Sequence, residues 1–283
     1  PRGRILREDG RNTVRRKGPA WDAIVSQPSN PWVLGSSGLF SREFYLLCSE
    51  RLSPGGVMVQ WLQAYGISRE SLESQLSTFR SVFPRVLVFS FRPGDLILAG
   101  SSRPLLADLD AYRAAFARLP LQPLLRQAGF RSPERFAGGF FGAWDREGDP
   151  SLWAVDDLPG LEYDLPRMIS ADTIRGNMEW LREATTGGVE EGMRGAVDGV
   201  DHSTWNEVGK GRSEFGFPEH AFDLFREAVR RKPDFAEGWN NLGVSAFARA
   251  DRQSAEFFRK AVALDPRNAG YRENLQRAGN RGP

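Results

Sequence analysis

The stretch WDAIVSQPSNPW, from Trp21 to Trp32, runs a short apolar segment straight into a stiff polar loop. Asp22-Ala23-Ile24-Val25 has the β-branched make-up of a buried strand in a parallel sheet. Ser26, Gln27, Ser29 and Asn30 follow it, with Pro28 and Pro31 as fixed corners. In an open α/β sheet the ligand crevice lies outside the carboxyl ends of the strands. The side chains just past Val25 are therefore predicted to face a crevice.

Working outward, three further strand candidates are Arg4 to Arg7, Val57 to Trp61, and the pair Val86 to Phe91 with Leu96 to Ala99. The first three strands are separated by helical spans, the pattern of parallel βαβ units. Ser41 is placed to cap one helix, with Phe44, Leu47, Cys48 and Leu52 on a shared face and Pro54-Gly55-Gly56 as its stop. Ser68 opens another, with Leu72, Leu76, Phe79 and Phe83 at helical spacing before Pro84. Arg92-Pro93-Gly94-Asp95 has Pro and Gly where a type II turn needs them, which predicts an antiparallel hairpin. The fold class expected is α/β with a mostly parallel sheet.

Two flanking motifs turn this pattern into a resemblance. Upstream is GRILREDGRN, Gly3 to Asn12, a predicted strand ending in Asp9-Gly10; downstream are GLFSREFY, Gly38 to Tyr45, and SPGGVMVQW, Ser53 to Trp61. In that order they resemble the spermidine synthase family of aminopropyltransferases, whose nucleotide-binding fold is that of the methyltransferases. The resemblance covers roughly residues 1–182 and implies a methyltransferase-like, Rossmann-like sheet that is incomplete at its N-terminus. It also implies that Asp9 and Gly10 contact the adenine of decarboxylated S-adenosylmethionine or S-adenosylmethionine. The catalytic loop of the family has the form Asp-Ser-Ser/Thr-Asp-Pro; here its two acids are the amides Gln27 and Asn30. This variant is similar to spermidine-synthase-like proteins fused to a membrane segment, some of which carry helical repeats. A cytoplasmic domain of a membrane-anchored parent is implied.

Composition excludes several classes. With 40% hydrophobic and 11% aromatic residues, the 283-residue chain suffices for a packed core. Its net charge of +2 comes from 38 basic and 36 acidic residues, without the concentrated positive face that nucleic-acid binding needs. The single Cys48 excludes an internal disulfide. No apolar run approaches the ~18 residues of a membrane helix. His202 and His220 are not at metal-ligand spacing and have no cysteine cluster beside them, so no metal is expected.

The end of the chain repeats itself. FREAV at Phe225 to Val229 recurs as FRKAV at Phe258 to Val262, and Pro233, Ala236, Asn241 and Leu242 recur as Pro266, Ala269, Asn274 and Leu275. A period near 34 residues with helix-turn-helix content resembles tetratricopeptide repeats, and AEGWNNLG, Ala236 to Gly243, is similar to their first-helix pattern. The expected organisation is thus 1–101, the C-terminal part of a nucleoside-binding α/β domain; 102–184, its helical elaboration and closing segment; 185–217, a glycine-rich linker or degenerate repeat; and 218–283, the repeats.

The chemistry of the loop stays open between three readings. An amide has no proton-accepting state near neutral pH and no charge to anchor an amine, so Gln27 cannot replace an aspartate. Either the loop binds a nucleoside or amine through neutral hydrogen bonds, with Ser29 lining the site, or a carboxylate elsewhere has taken over, or Gln27 and Asn30 merely satisfy loop backbone. Asp156 and Asp157, in AVDDLPGLEYDLPR, Ala154 to Arg167, resemble the family's closing segment and are candidates for the polyamine site; a solvated turn is the competing reading. Three functions follow. One is an aminopropyltransferase-like or nucleoside-dependent transferase with weakened or lost catalysis. Another is a non-catalytic scaffold whose repeats recruit a peptide or protein. The third is the regulatory domain of a membrane-fused, transport-linked protein.

Overall fold

The structure, a computed structural model, describes residues 5–29, 35–103, 105, 108–118, 120–157, 162, 168, 172–188 and 200–280. The chain divides into two compact units. One comprises Pro1–Ser90, Gly94–Leu106 and Phe141–Thr186, the other Phe91–Pro93, Ala107–Phe140 and Gly187–Pro283.

The first unit is α/β. After a short helix α1 (Gly10–Arg15) come β1 (Trp21–Ser26), α2 (Arg42–Arg51), β2 (Leu52–Gln63), α3 (Arg69–Arg80), β3 (Arg85–Arg92) and β4 (Asp95–Ser101). The sheet is completed by β5 (Phe140–Trp144) in the order β1-β2-β4-β3-β5. The α2 crossover makes β1 and β2 parallel, Ala23 facing Val57 and Ser26 facing Gln60. A two-residue turn with Gly94 at φ +89° sends β4 back from β3, and β4 pairs antiparallel with β2, from Val57 opposite Ser101 to Gln63 opposite Asp95. The sheet is therefore mixed, which corrects the mostly parallel expectation; the predicted hairpin is what brings antiparallel pairing into it.

Two other expectations change. Residues 5–7 form no strand, and Arg4 lies outside the described residues. Instead Asp9 accepts a hydrogen bond from the Asn12 amide at 2.7 Å and starts α1, a local bond that competes with any ladder. β1 then stands at one end of the strand order, and Val25, expected to be buried, is 71% exposed.

Helix starts were legible. Ser41 and Ser68 cap α2 and α3, accepting from Phe44 and Ser71 amides at 3.3 and 3.1 Å. The α3 stripe Leu72, Leu76 and Phe79, with Phe83 beyond it, is fully buried. It packs so closely that a Cβ on Gly100 would sit 2.6 Å from the Phe79 ring. A later helix, α7 (Ile174–Ala184), buries Asn177, whose Nδ2 donates to the Ala64 and Ile67 carbonyls and fastens the loop that follows β2. The elements before it, α4 (Leu109–Ala117), α5 (Gln122–Gln127) and α6 (Pro133–Ala137), belong to the second unit.

That unit continues with α8 (His202–Glu214), α9 (Phe222–Arg231), α10 (Ala236–Ala248), α11 (Ser254–Leu264) and α12 (Ala269–Gly279). Ala221, Phe225, Leu242, Phe258 and Ala261 are all buried. A further copy of the pattern emerges. Trp205-Asn206-Glu207-Val208-Gly209 on α8 recurs as Trp239-Asn240-Asn241-Leu242-Gly243 on α10, thirty-four residues on. A Cβ on Gly209 would lie 2.6 Å from the Phe225 ring, and a Cβ on Gly243 2.6 Å from Phe258. The same glycine-on-phenylalanine contact thus joins α8 to α9 and α10 to α11.

Candidate functional site

At the carboxyl end of β1, Gln27 and Ser29 are exposed, and Asn30 lies outside the described residues. Level with Ser26 is Gln60, fully buried on β2. Its Nε2 donates to the Trp61 carbonyl at 2.8 Å, and its Oε1 has no hydrogen-bond partner among the described residues. Sequence reasoning missed Gln60, because a lone glutamine in an apolar strand carries no spacing signal.

Asp9 and Gly10 stand at the start of α1 rather than after a strand. The Asp9 carboxylate is occupied as the helix cap, and Gly10 is the first helical residue, with open space where a Cβ would point. The next residue ties this corner to another predicted position. Arg11 Nη1 donates to Asp156 Oδ1 at 2.8 Å and to the Gly38 carbonyl at 3.0 Å, while Nη2 donates to Asp156 Oδ2. This two-pronged grip holds the Asp156 carboxyl below its ordinary range and raises the Arg11 guanidinium. The Asp156 amide donates to Glu43 on α2 at 3.1 Å, and Ser37 donates to Glu162 at 2.6 Å. Asp157 is exposed beside this cluster. Asp9, Gly10 and Asp156 are thus brought into one neighbourhood by Arg11, with the carboxylates of Asp9 and Asp156 already engaged. Behind it, burial pushes the Cys48 thiol up to about 12, so it is an inert packing group.

The second unit holds an arrangement the sequence did not announce. Across α8, α10 and α12 runs a row of side-chain amides. Asn274 Nδ2 donates to Asn240 Oδ1 at 2.9 Å, Asn240 Nδ2 to Asn241 Oδ1 at 3.4 Å, and Asn241 Nδ2 to Asn206 Oδ1 at 2.9 Å. Asn206 Nδ2 ends the row on Glu237 Oε1 at 3.2 Å, where Lys210 Nζ also donates at 2.9 Å. Asn206 is buried; Asn240, Asn241 and Asn274 are half-buried. Burial lowers the Lys210 ammonium, but its bonds to Glu207 and Glu237 outweigh this and leave it raised. Tyr271 on α12 stands close enough to feel Glu237, though burial is the larger cause of its raised pKa. The signal that could have found the row is the thirty-four-residue spacing of Asn206, Asn240 and Asn274. The shorter period, which pairs Asn241 with Asn274, concealed it.

Elsewhere, Asp201 caps α8 by accepting from the Thr204 amide at 2.9 Å, and Ser203 Oγ donates to the same carboxylate. Among the described residues no group of three or more His, Cys, Asp or Glu gathers as a metal site would require. No helix among them is long and apolar enough to cross a membrane. Compared with known proteins, the chain matches no family model and no curated sequence.

Proposed function

We propose that this protein works by binding, its helical unit holding an extended peptide along the face made by α8, α10 and α12. The asparagine row carries this reading. A primary amide offers donor and acceptor together, as does each peptide group, so a row of half-buried asparagines complements a main chain whatever its side chains. Half-buried Asn240, Asn241 and Asn274 each commit one Nδ2 hydrogen within the row, and in this reading the second meets a ligand carbonyl. The helix pairs joined by Gly209 and Gly243 support taking this unit as tetratricopeptide repeats.

The α/β unit is read alongside it as a spermidine-synthase-like, nucleoside-dependent transferase domain in which aminopropyl transfer is weakened or lost. The parallel β1–β2 pair followed by a hairpin whose second strand joins β2 supports the methyltransferase-like reading. The amides at Gln27 and Asn30, with Asp156 gripped by Arg11, support the loss. Decarboxylated S-adenosylmethionine or S-adenosylmethionine remains the nucleoside class that the resemblance implies.

Panning random dodecapeptides against the full chain tests the first reading. Selected peptides should lose about 0.5–1.5 kcal/mol of affinity with either Asn240→Ala or Asn274→Ala, and nothing with Gln27→Ala. A panning that yields no binder, or binders indifferent to both asparagines, defeats it.

A further inference from the structure

We infer that Arg135 on α6 is a positioning residue for the asparagine row, acting through Glu207 and Lys210. The inference rests on the row being the peptide site. The links are continuous. Arg135 Nε donates to Glu207 Oε2 at 2.9 Å, and a second guanidinium nitrogen pairs with Glu214; both acids are on α8. The other Glu207 oxygen takes Lys210 Nζ at 2.7 Å, and Lys210 reaches Glu237 Oε1 on α10 at 2.9 Å. That same oxygen accepts from Asn206 Nδ2.

The chemistry of this chain sets the polarity of the row. A carboxylate only accepts, so Glu237 fixes Asn206 with its Nδ2 toward α10 and its Oδ1 toward Asn241. Asn241 must then present its Nδ2 to Asn206 and its Oδ1 to Asn240, and the order passes on to Asn274. Glu237 is itself held by Lys210, and Lys210 by Glu207. Arg135 anchors Glu207 from the opposite side, its own side chain 13% exposed and that of Glu207 34%. Without that anchor Glu207 follows Lys210, the hold on Glu237 slackens, and the amides lose their common direction. Hydrogen-bond chains of this sort strengthen or fail together.

Arg135 also ties α6 to α8, so a purely structural role must be separated from a positioning one. Glu214 provides the control, since it shares the α6–α8 tie but touches no member of the row. The test follows the side-chain amide signals of Asn206, Asn240, Asn241 and Asn274 by NMR in the full chain, together with affinity for a dodecapeptide selected by panning. Arg135→Met should move or broaden the Asn206 and Asn241 signals and weaken the peptide about two- to tenfold. Glu214→Gln should leave both as they were. Glu207→Gln, which breaks the chain with little change of shape, should repeat the Arg135→Met pattern and serves if that variant fails to fold. Unchanged amide signals in Arg135→Met, or in Glu207→Gln where it stands in, would overturn the inference, as would equal effects from Glu214→Gln. If no peptide binds the unmodified chain, the binding reading fails, while the amide signals still decide what Arg135 does.

Discussion

Asp9 shows how a residue singled out by sequence can be given a different place and employment by local physics: it was expected at the end of a strand and instead caps α1. The Asp-Gly pair upstream of β1 was legible, but a carboxylate two to three residues ahead of free amides caps a helix as readily as it meets a nucleoside. Asp9→Ala should cost about 0.5–2 kcal/mol in denaturant unfolding. Calorimetric affinity for S-adenosylmethionine should not change; a parallel loss of affinity would return Asp9 to the cofactor. Asp156 was likewise singled out by resemblance, as a candidate for a polyamine site, whereas its partner Arg11 was not, because a contact spanning such a distance in sequence leaves no spacing to read. The sign of its pH dependence follows from the depressed pKa. The grip contributes stability above the usual aspartate range and loses it as pH falls through the lower, folded value. Comparing the wild type with Asp156→Asn between pH 7 and pH 3 should show the difference between them shrinking toward acid; a difference independent of pH would mean that the ion pair contributes nothing.

Elements with a strong local period were legible, and those made by long-range contact were not. The α3 stripe, the Pro-Gly hairpin and the helices from Phe222 to Leu264 follow from apolar spacing, caps and turns that act within a few residues. The antiparallel pairing of β4 with β2 required knowing which strand lies beside β2, and the exposure of β1 required knowing that it ends the order. α8 lay hidden because Gly209 and Gly211 read as linker composition. In the fold these glycines have a packing reason: a Cβ on Gly209 would press into Phe225, and one on Gly211 into the backbone of Arg135. Gly209→Ala and Gly243→Ala should therefore each destabilise the helical unit by about 1–3 kcal/mol through overpacking, despite alanine's better helix propensity. Leu242→Ala, at a site 1% exposed, should cost about 2–5 kcal/mol. Denaturant melts followed by the helical signal measure all three. A stabilising glycine replacement would show that the close contact relaxes freely.

At the scale of the whole molecule, the edge of β1, which ends the strand order among the described residues, is the feature most apt to govern behaviour in solution. An unpaired strand offers a row of backbone donors and acceptors to any other chain, and proteins usually blunt such edges with charge, proline or a covering element. β1 has one acid, Asp22, which already accepts from Ser53, while Val25 is 71% exposed and Ile5 and Leu6 add exposures of 91% and 48% in the same unit. A net charge of only +2 gives little long-range repulsion to keep copies apart. The purified chain should therefore self-associate with rising concentration, visible in light scattering. Val25→Lys should suppress this, because a lysine on an edge strand disfavours its pairing with a second chain without touching the β1–β2 ladder. Added salt should restore part of the association in that variant by screening the new charge, the Debye length falling from about 10 Å at 0.1 M to about 3 Å at 1 M. If the wild type stays monomeric across the range, the β1 edge is not adhesive. If it associates and Val25→Lys does nothing, the copies meet through another surface.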